Sequence, residues 1–187
     1  MLETFLAVER KETAIQELDK RGIFRNRDNF LKALENGDIE VIDLFVRANF
    51  NILLTDNNGM PPLHLALRKG YIIIAKILLN AGSDVNEKDK LGLTPLMLAC
   101  GKSTVGYKDV AETLIRKGAH INVRDALGYT PLLLAFSGGT IDIAELLIHK
   151  GADINARTRK GETPLSLAEK AQCTEIVDLL SSKGKTS

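Results

Sequence analysis

The 187-residue chain contains no tryptophan, and aromatic residues make up only 5% of it, so aliphatic side chains must form most of its core. Its two cysteines, Cys100 and Cys173, are too few for a disulfide framework, and we expect both thiols to be reduced. No apolar run approaches the ~20 residues that cross a bilayer. The first ten residues include Glu3 and Glu9 and lack the basic start and apolar stretch of a secretory signal. These absences predict a cytoplasmic protein without membrane contact.

An excess of charge of one sign is also missing. Twenty-five Lys and Arg residues against 24 Asp and Glu residues give a net charge of +1. A dedicated nucleic-acid-binding protein is normally strongly basic, so this balance argues against that class. Hydrophobic residues at 44% and charged residues at 26% are ordinary for a folded globular chain, which excludes disorder over most of the length.

Signatures of catalysis and metal binding are absent as well. Residues 101–104, Gly-Lys-Ser-Thr, match the end of a phosphate-binding loop, but the glycine that this loop needs five residues earlier is Leu96. The cysteines and the three histidines, His64, His120 and His149, share no metal-ligand spacing. No serine or cysteine has a recognisable base partner. We therefore expect no enzymatic activity, no cofactor and no metal.

An internal repeat dominates what is present. Phrases similar to Gly-Leu-Thr-Pro-Leu-Met-Leu-Ala begin at Gly59, Gly92, Gly128 and Gly161, with spacings of 33, 36 and 33 residues. Each of the first three phrases leads to a second apolar segment that ends in a glycine turn, at Gly82, Gly118 and Gly151. A fixed period of this length indicates stacked supersecondary units.

Each unit reads as a turn followed by two helices. The first helix begins at a Thr-Pro pair, as at Thr94, Thr130 and Thr163. The threonine hydroxyl serves as the N-cap, and the proline after it occupies the first helical position. A second segment with helical spacing of apolar residues follows, and the glycine after it closes the helix in a left-handed conformation. An aspartate three residues before each of the first three phrase glycines, as at Asp89, is typical of a tight turn.

These Thr-Pro-Leu phrases, the Gly-Ala-Asp-Ile-Asn segment endings and the 33-residue period resemble ankyrin repeats over about residues 28–183. The resemblance implies an all-α repeat solenoid with about five turn–helix–helix repeats and an extra N-terminal helix. It also implies binding of other proteins through a concave face made by the turns and first helices. We assign residues 1–27 to an N-terminal capping helix and linker and 28–183 to the repeat domain. The repeats are 28–55, 56–88, 89–124, 125–157 and 158–183, and 184–187 form a frayed tail.

The N-terminal segment before the repeats is predicted to form a charged helix over residues 3–20. We expect its apolar side to consist of Phe5, Leu6, Ile15 and Leu18, and Ile23 and Phe24 to pack onto the first repeat. It then caps the solenoid, whose end repeats need a polar cover. A separate binding helix is the alternative.

Departures from the pattern mark particular repeats. Asn49 stands where later repeats have glycine, and Pro61 replaces the capping threonine. In the last repeat, Thr158 replaces the turn aspartate and Gln172 replaces the glycine between the helices. The third repeat carries three extra residues within 101–108, which are either a tolerated surface insertion or a partner contact.

Equivalent positions in the turns form columns that predict a binding surface. One column contains Met60, Leu93, Tyr129 and Glu162, and the column two residues earlier contains Asn58, Leu91, Leu127 and Lys160. Exposed turn tips are normally polar, so several adjacent apolar side chains indicate an interaction patch. The alternative is that these side chains lie back on their neighbours.

Cations flank this patch. They are Lys88, Arg124 and Arg157 in one column, Lys90 and Arg159 in another, and Lys160, with Arg68 at the end of a first helix. A partner protein with an acidic rim around an apolar anchor would complement such a surface. Ordinary solvated charge is the alternative.

The sequence thus predicts a monomeric, non-catalytic module for protein–protein interaction that acts as an inhibitor, a regulatory subunit or an assembly subunit. Two alternatives stay open. The basic columns could bind nucleic acid, which would show as a steep salt dependence of binding. The chain could also be a secreted effector that binds host proteins.

Overall fold

A computed structural model describes residues 2–184 of the chain, apart from the side chains of Leu2, Phe5 and residues 182–184. The described residues contain eleven α-helices and no strand, which confirms the predicted all-α repeat fold. The helices are α1 Leu2–Lys20, α2 Arg27–Asn36, α3 Ile39–Arg47, α4 Pro62–Lys69, α5 Ile72–Asn80, α6 Pro95–Cys100, α7 Tyr107–Arg116, α8 Pro131–Ser137, α9 Ile141–His149, α10 Pro164–Lys170 and α11 Thr174–Gly184.

The chain divides into two compact units. Residues up to Asp84 form unit 1, and residues from Val85 onward form unit 2. In unit 1, α1 and α2 pack on α3, and the pair α4–α5 packs on α2 and α3. In unit 2, three helix pairs are formed by α6–α7, α8–α9 and α10–α11, and the first helices α6, α8 and α10 contact one another in that order.

The core is mainly aliphatic, as the composition predicts. Unit 1 adds an aromatic cluster in which Phe30, Phe45 and Phe50 have ring centroids 5.0–5.5 Å apart. No helix within residues 2–184 combines the length and the apolar character that a membrane-spanning segment needs.

Helix ends follow the local signals in the sequence. Thr94, Thr130 and Thr163 accept hydrogen bonds from backbone N–H groups in the first turns of α6, α8 and α10, whereas Pro61 provides no side-chain cap for α4. Asn49 adopts the left-handed conformation expected of it, with φ of 57°. The bonds to the threonine hydroxyls satisfy backbone N–H groups in the first helical turn, which have no partner inside the helix.

The packing expected of the N-terminal segment is partly wrong. Leu18 is buried and Ile15 is half-buried, but Leu6 is exposed, and the side chain of Phe5 lies outside the described residues. Phe24 is 74% exposed, and its carbonyl lies in the turn before α2, where it accepts from the Asn26 N–H and from Asn29 Nδ2. The aromatic cluster of unit 1 is instead formed by Phe30, Phe45 and Phe50. From residue 185 onward, the expected tail lies outside the described residues.

The insertion in the third repeat forms a six-residue connection, 101–106, between α6 and α7. Its base is fixed by Thr140 Oγ1, which donates to the Cys100 carbonyl at 2.6 Å, and by Ser103 Oγ, which donates to the Gly138 carbonyl. The backbones of Gly101 and Gly138 also approach closely. The connection is therefore tied to the next repeat, while Val105 at its tip is 97% exposed.

We predict that Gly138→Ala destabilises the protein by about 1–3 kcal/mol through steric overlap. A Cβ atom at Gly138 would lie 2.9 Å from the carbonyl carbon of Gly101. Its φ of −88° suits any residue, so backbone strain does not contribute. The measurement is the free energy of unfolding in urea.

Gly101→Ala is the matched control. Gly101 has nearly the same backbone, with φ of −85°, and the nearest atom to its added Cβ is the Met97 carbonyl oxygen at 3.9 Å. This substitution should leave stability unchanged or raise it slightly, because alanine restricts the unfolded chain. Equal losses from both substitutions would contradict the prediction.

Candidate protein-binding surface

The turns of unit 2 are shaped by a side-chain acceptor at their first position. Asp89 Oδ1 accepts from the backbone N–H groups of Leu91 and Leu93, both at 2.9 Å. The turn at residues 125–129 repeats both bonds at 2.8 Å, with Asp125 as the acceptor. An aspartate that binds the backbone two residues later is a turn-forming arrangement, and here a second bond closes the turn.

The third turn of unit 2 keeps this arrangement with a different residue. Thr158 Oγ1 accepts from the N–H groups of Lys160 and Glu162 at 3.3 and 3.2 Å. The hydroxyl therefore replaces the carboxylate as the acceptor. The three turns consequently present Leu91, Leu127 and Lys160 at equivalent positions.

The apolar side chains of these turns differ in exposure. Leu91 is 61% exposed and Leu127 is 59% exposed, whereas Leu93 and Tyr129 are half-buried. The two leucines at the tips are thus the apolar groups that a partner could cover. Leu93 and Tyr129, by contrast, offer a partner less apolar surface because they are half-buried.

Tyr129 is held by the following repeat. Its hydroxyl donates to Glu162 Oε2 at 2.9 Å, and Lys170 Nζ lies 3.5 Å from Glu162 Oε1. This hydrogen bond raises the pKa of Tyr129 above its ordinary value and lowers the pKa of Glu162. The bond favours neutral tyrosine and ionised glutamate at neutral pH.

Arg124 also connects successive repeats. Its Nη1 donates to the Arg157 carbonyl at 2.9 Å, and its Nη2 lies 3.6 Å from Asp153 Oδ2. This predicted site residue therefore has partners within unit 2. The other predicted cations of unit 2 are exposed and form no ion pair with any described residue: Lys88, Lys90, Arg157, Arg159 and Lys160.

Several acidic side chains near these cations form hydrogen bonds or ion pairs within unit 2. Asp89 is buried, and Asp89 and Asp125 each bind two backbone N–H groups. Asp153 faces Arg124, and Glu162 binds Tyr129 and faces Lys170. These carboxylates keep their negative charge, but the five exposed cations of the turns have no ion-pair partner among the described residues. We call Leu91, Leu127 and the five exposed cations the turn surface.

Neighbouring turns are fixed to each other in ways that the sequence did not reveal. The Arg159 N–H donates to the Leu127 carbonyl at 2.9 Å, and a Cβ atom on Gly128 would lie 3.2 Å from the Arg159 nitrogen. Asn86 bridges to the next repeat by donating to the Gly118 carbonyl and accepting from the His120 N–H. The recurrence of asparagine at this position, in Asn86, Asn122 and Asn155, was the available signal.

Unit 1 presents different chemistry in its own turn. Asn58 is exposed, and Met60 and Arg68 are half-buried. The positions equivalent to Lys88 and Lys90 are Thr55 and Asn57, whose carbonyl and side-chain oxygens accept hydrogen bonds from Arg27 Nη2. The exposed leucines and unpaired cations predicted for the surface are therefore concentrated in unit 2.

Other chemistry is limited in the described part of the chain. No group of three or more His, Cys, Asp or Glu side chains there could hold a metal ion. Cys100 is fully buried, and burial raises the pKa of its thiol far above the ordinary range, which disfavours the reactive thiolate.

Comparison with known proteins identifies the repeat. The family model described as ankyrin repeats (3 copies) matches residues 30–125 and 106–186. Mouse protein phosphatase 1 regulatory subunit 27 is 36% identical over 92 residues, which cover 49% of this chain and 58% of that protein. A putative ankyrin repeat-containing protein of Treponema pallidum is 33% identical over 134 residues, covering 54% and 45%. Mouse Rabankyrin-5 is 40% identical over 87 residues, covering 44% and 7%. The chain thus spans less than two thirds of the length of each relative.

We predict that Tyr129→Phe destabilises the protein in a pH-dependent way. The depressed pKa of Glu162 contributes stability above its unfolded-state pKa, and this contribution disappears as pH falls through the folded-state pKa. The raised pKa of Tyr129 contributes stability below its unfolded-state pKa that disappears as pH rises through the folded-state pKa. The difference in unfolding free energy between wild type and variant should therefore be largest near neutral pH and shrink towards both extremes.

Tyr71→Phe provides the control for this series. The Tyr71 hydroxyl donates to the backbone carbonyl of Glu35 at 3.3 Å, and a carbonyl does not titrate. The change in unfolding free energy caused by Tyr71→Phe should therefore stay constant as pH is lowered. A Tyr129→Phe effect that also stays constant in acid would refute the role given to Glu162.

Proposed function

Because the chain belongs to the ankyrin-repeat family, we propose that it is a non-catalytic protein-binding module that holds a partner protein on the turn surface of unit 2. The family supports protein–protein interaction as the activity. Repeat proteins of this kind bind through surfaces built from equivalent positions in successive repeats. The inferred activity is recognition by the exposed side chains, and no bond is made or broken.

The exposure of Leu91 and Leu127 carries this proposal. Each is about three-fifths exposed on a turn that two internal hydrogen bonds hold in place. Leaving such side chains in water forgoes stabilisation that burial would provide. A partner that covers them recovers it, and the turns lose little conformational freedom on binding because they are already ordered.

The surrounding charge defines the partner further. The five unpaired cations of the turn surface would attract acidic side chains around an apolar anchor. Such complementarity would speed association and would weaken as ionic strength rises. The proposed partner is therefore a protein with an acidic rim and an aliphatic centre.

A regulatory, inhibitory or assembly role in the cytoplasm is the biological part of the proposal, with the chain acting as a monomer. One relative is named as a regulatory subunit of a phosphatase, which supports a role of this kind. The shared segment in that relative spans only part of both proteins. We therefore extend the regulatory role, and not the phosphatase, to this chain.

We predict that the double variant Leu91→Glu, Leu127→Glu loses its partner in a pull-down from native lysate followed by mass spectrometry. Loss of two apolar anchors should reduce recovery of the partner at least tenfold, because a few anchors usually dominate an interface. Leu91 and Leu127 are chosen over Leu93 and Tyr129 because substitution of half-buried side chains would also disturb the turns.

The control is Leu53→Glu, which places the same change on a leucine that is 66% exposed in unit 1. Circular dichroism should show all three proteins to be equally folded. If the double variant recovers the same partner as the wild type and the Leu53 variant, the turn surface is not the binding site. If only nucleic acid is recovered, and nuclease treatment removes it, the basic residues serve the alternative function.

A further inference from the structure

We infer that the turn surface recognises a short extended segment with aliphatic side chains at positions i and i+3 and an acidic side chain at i+6, in either chain direction. The two aliphatic side chains would contact Leu91 and Leu127, and the acidic one would pair with Lys160. This inference rests on the proposed function and goes beyond it by specifying the conformation and spacing of the partner.

The order of side chains follows from the turns. Leu91, Leu127 and Lys160 each stand two residues after the turn acceptor, and each has its N–H bound by that acceptor. They therefore leave their turns from the same backbone position. The series along unit 2 is aliphatic, aliphatic and cationic, and a complementary segment reads aliphatic, aliphatic and acidic.

The spacing follows from the stacking of the first helices. Helices α6, α8 and α10 contact one another in order, and helices in contact are about 8–10 Å apart. A polyproline II segment rises about 3.1 Å per residue with three residues per turn, so every third side chain returns to the same face after about 9 Å. This repeat matches the spacing of helices in contact, which we take as the spacing of the turns that lead into α6, α8 and α10.

Other regular conformations fit this spacing less well. A β-strand advances a similar distance in three residues, but it places positions i and i+3 on opposite faces. An α-helix rises about 1.5 Å per residue and needs six or seven residues to pass from one turn to the next. The geometry therefore favours the polyproline II conformation, whose backbone also lacks internal hydrogen bonds.

The flanking cations define both ends of the segment. Lys88 and Lys90 lie on either side of the turn residue Asp89, near Leu91, while Arg157 and Arg159 flank Thr158 next to Lys160. None of the four forms an ion pair within the described residues. Further acidic residues just outside positions i and i+6 should therefore strengthen binding, and high salt should weaken it.

The test uses fluorescence anisotropy of the full chain with labelled synthetic peptides of about twelve residues, long enough to span three turns in this conformation. The lead peptides carry Leu at i and i+3, Glu at i+6 and acidic flanks on a proline- and serine-containing background, in both sequence orders. Three control peptides carry Leu at i and i+2, Leu at i and i+7 on a helix-forming background, or Gln in place of every Glu. We expect one lead peptide to bind at least tenfold more tightly than each control.

Variants of the protein test the assigned contacts. Leu127→Ser should weaken binding of the lead peptide about tenfold, because it removes one aliphatic contact. Lys160→Glu should weaken it similarly and should restore binding to a peptide with Lys at i+6. Leu53→Ser and Lys32→Glu, which change exposed residues of unit 1, are the matched controls and should bind as the wild type does.

The outcomes separate this inference from the proposed function. The inference is overturned if the i+7 peptide binds best, or if Lys160→Glu does not shift the preference from the peptide with Glu at i+6 to the peptide with Lys there. It is overturned as well if an oligonucleotide displaces the lead peptide and binds more tightly. It is also overturned if no peptide binds while the Leu91→Glu, Leu127→Glu variant still loses its partner protein, and the proposed function then stands. If that variant keeps its partner, both fail together.

Discussion

The side-chain acceptor that opens each turn of unit 2 orders that turn and so positions the side chains of the turn surface. Asp89 and Asp125 each accept two backbone N–H bonds, and bonds to a carboxylate are stronger than bonds between neutral groups. The pair of bonds holds the turn in place, and Leu91 and Leu127, whose own N–H groups are bonded, keep largely exposed side chains. The same bonds direct carboxylate oxygens at the backbone, while the five exposed cations of the turn surface form no ion pair with any described residue. In a chain of net charge +1, the turns of unit 2 thus present cationic and aliphatic side chains side by side.

Local features of the structure could be predicted because their signals and their partners lie within a few residues of each other. A threonine before a proline caps the helix that follows, and the turn aspartate binds N–H groups two and four residues away. Asn49 was assigned a left-handed conformation from its place at a helix end, and its φ of 57° agrees. The all-α repeat fold follows from these short-range patterns because each one recurs in register.

Contacts between repeats could not be predicted from the same patterns. Tyr129 meets Glu162 and Arg124 meets the carbonyl of Arg157 across 33 residues of chain. Whether a side chain reaches across depends on its length and rotamer, which periodicity does not encode. For this reason, the sequence grouped Leu91 with Leu93 as apolar turn residues, although only Leu91 is largely exposed. The sequence also predicts that Phe24 packs onto the first repeat, because hydrophobicity alone does not show that its side chain is exposed in the turn before α2.

The contacts that escaped prediction are those that make the surface stiff. The bond from the Arg159 N–H to the Leu127 carbonyl and the bridge made by Asn86 each link one repeat of unit 2 to the next one. A surface linked in this way has lost most of its conformational entropy on folding, so binding costs it little more. The entropic cost then falls on the partner, and a segment that already populates polyproline II loses less freedom than one that must form a helix. Stiff turns spaced at a helix-packing distance thus favour an extended partner on thermodynamic as well as geometric grounds.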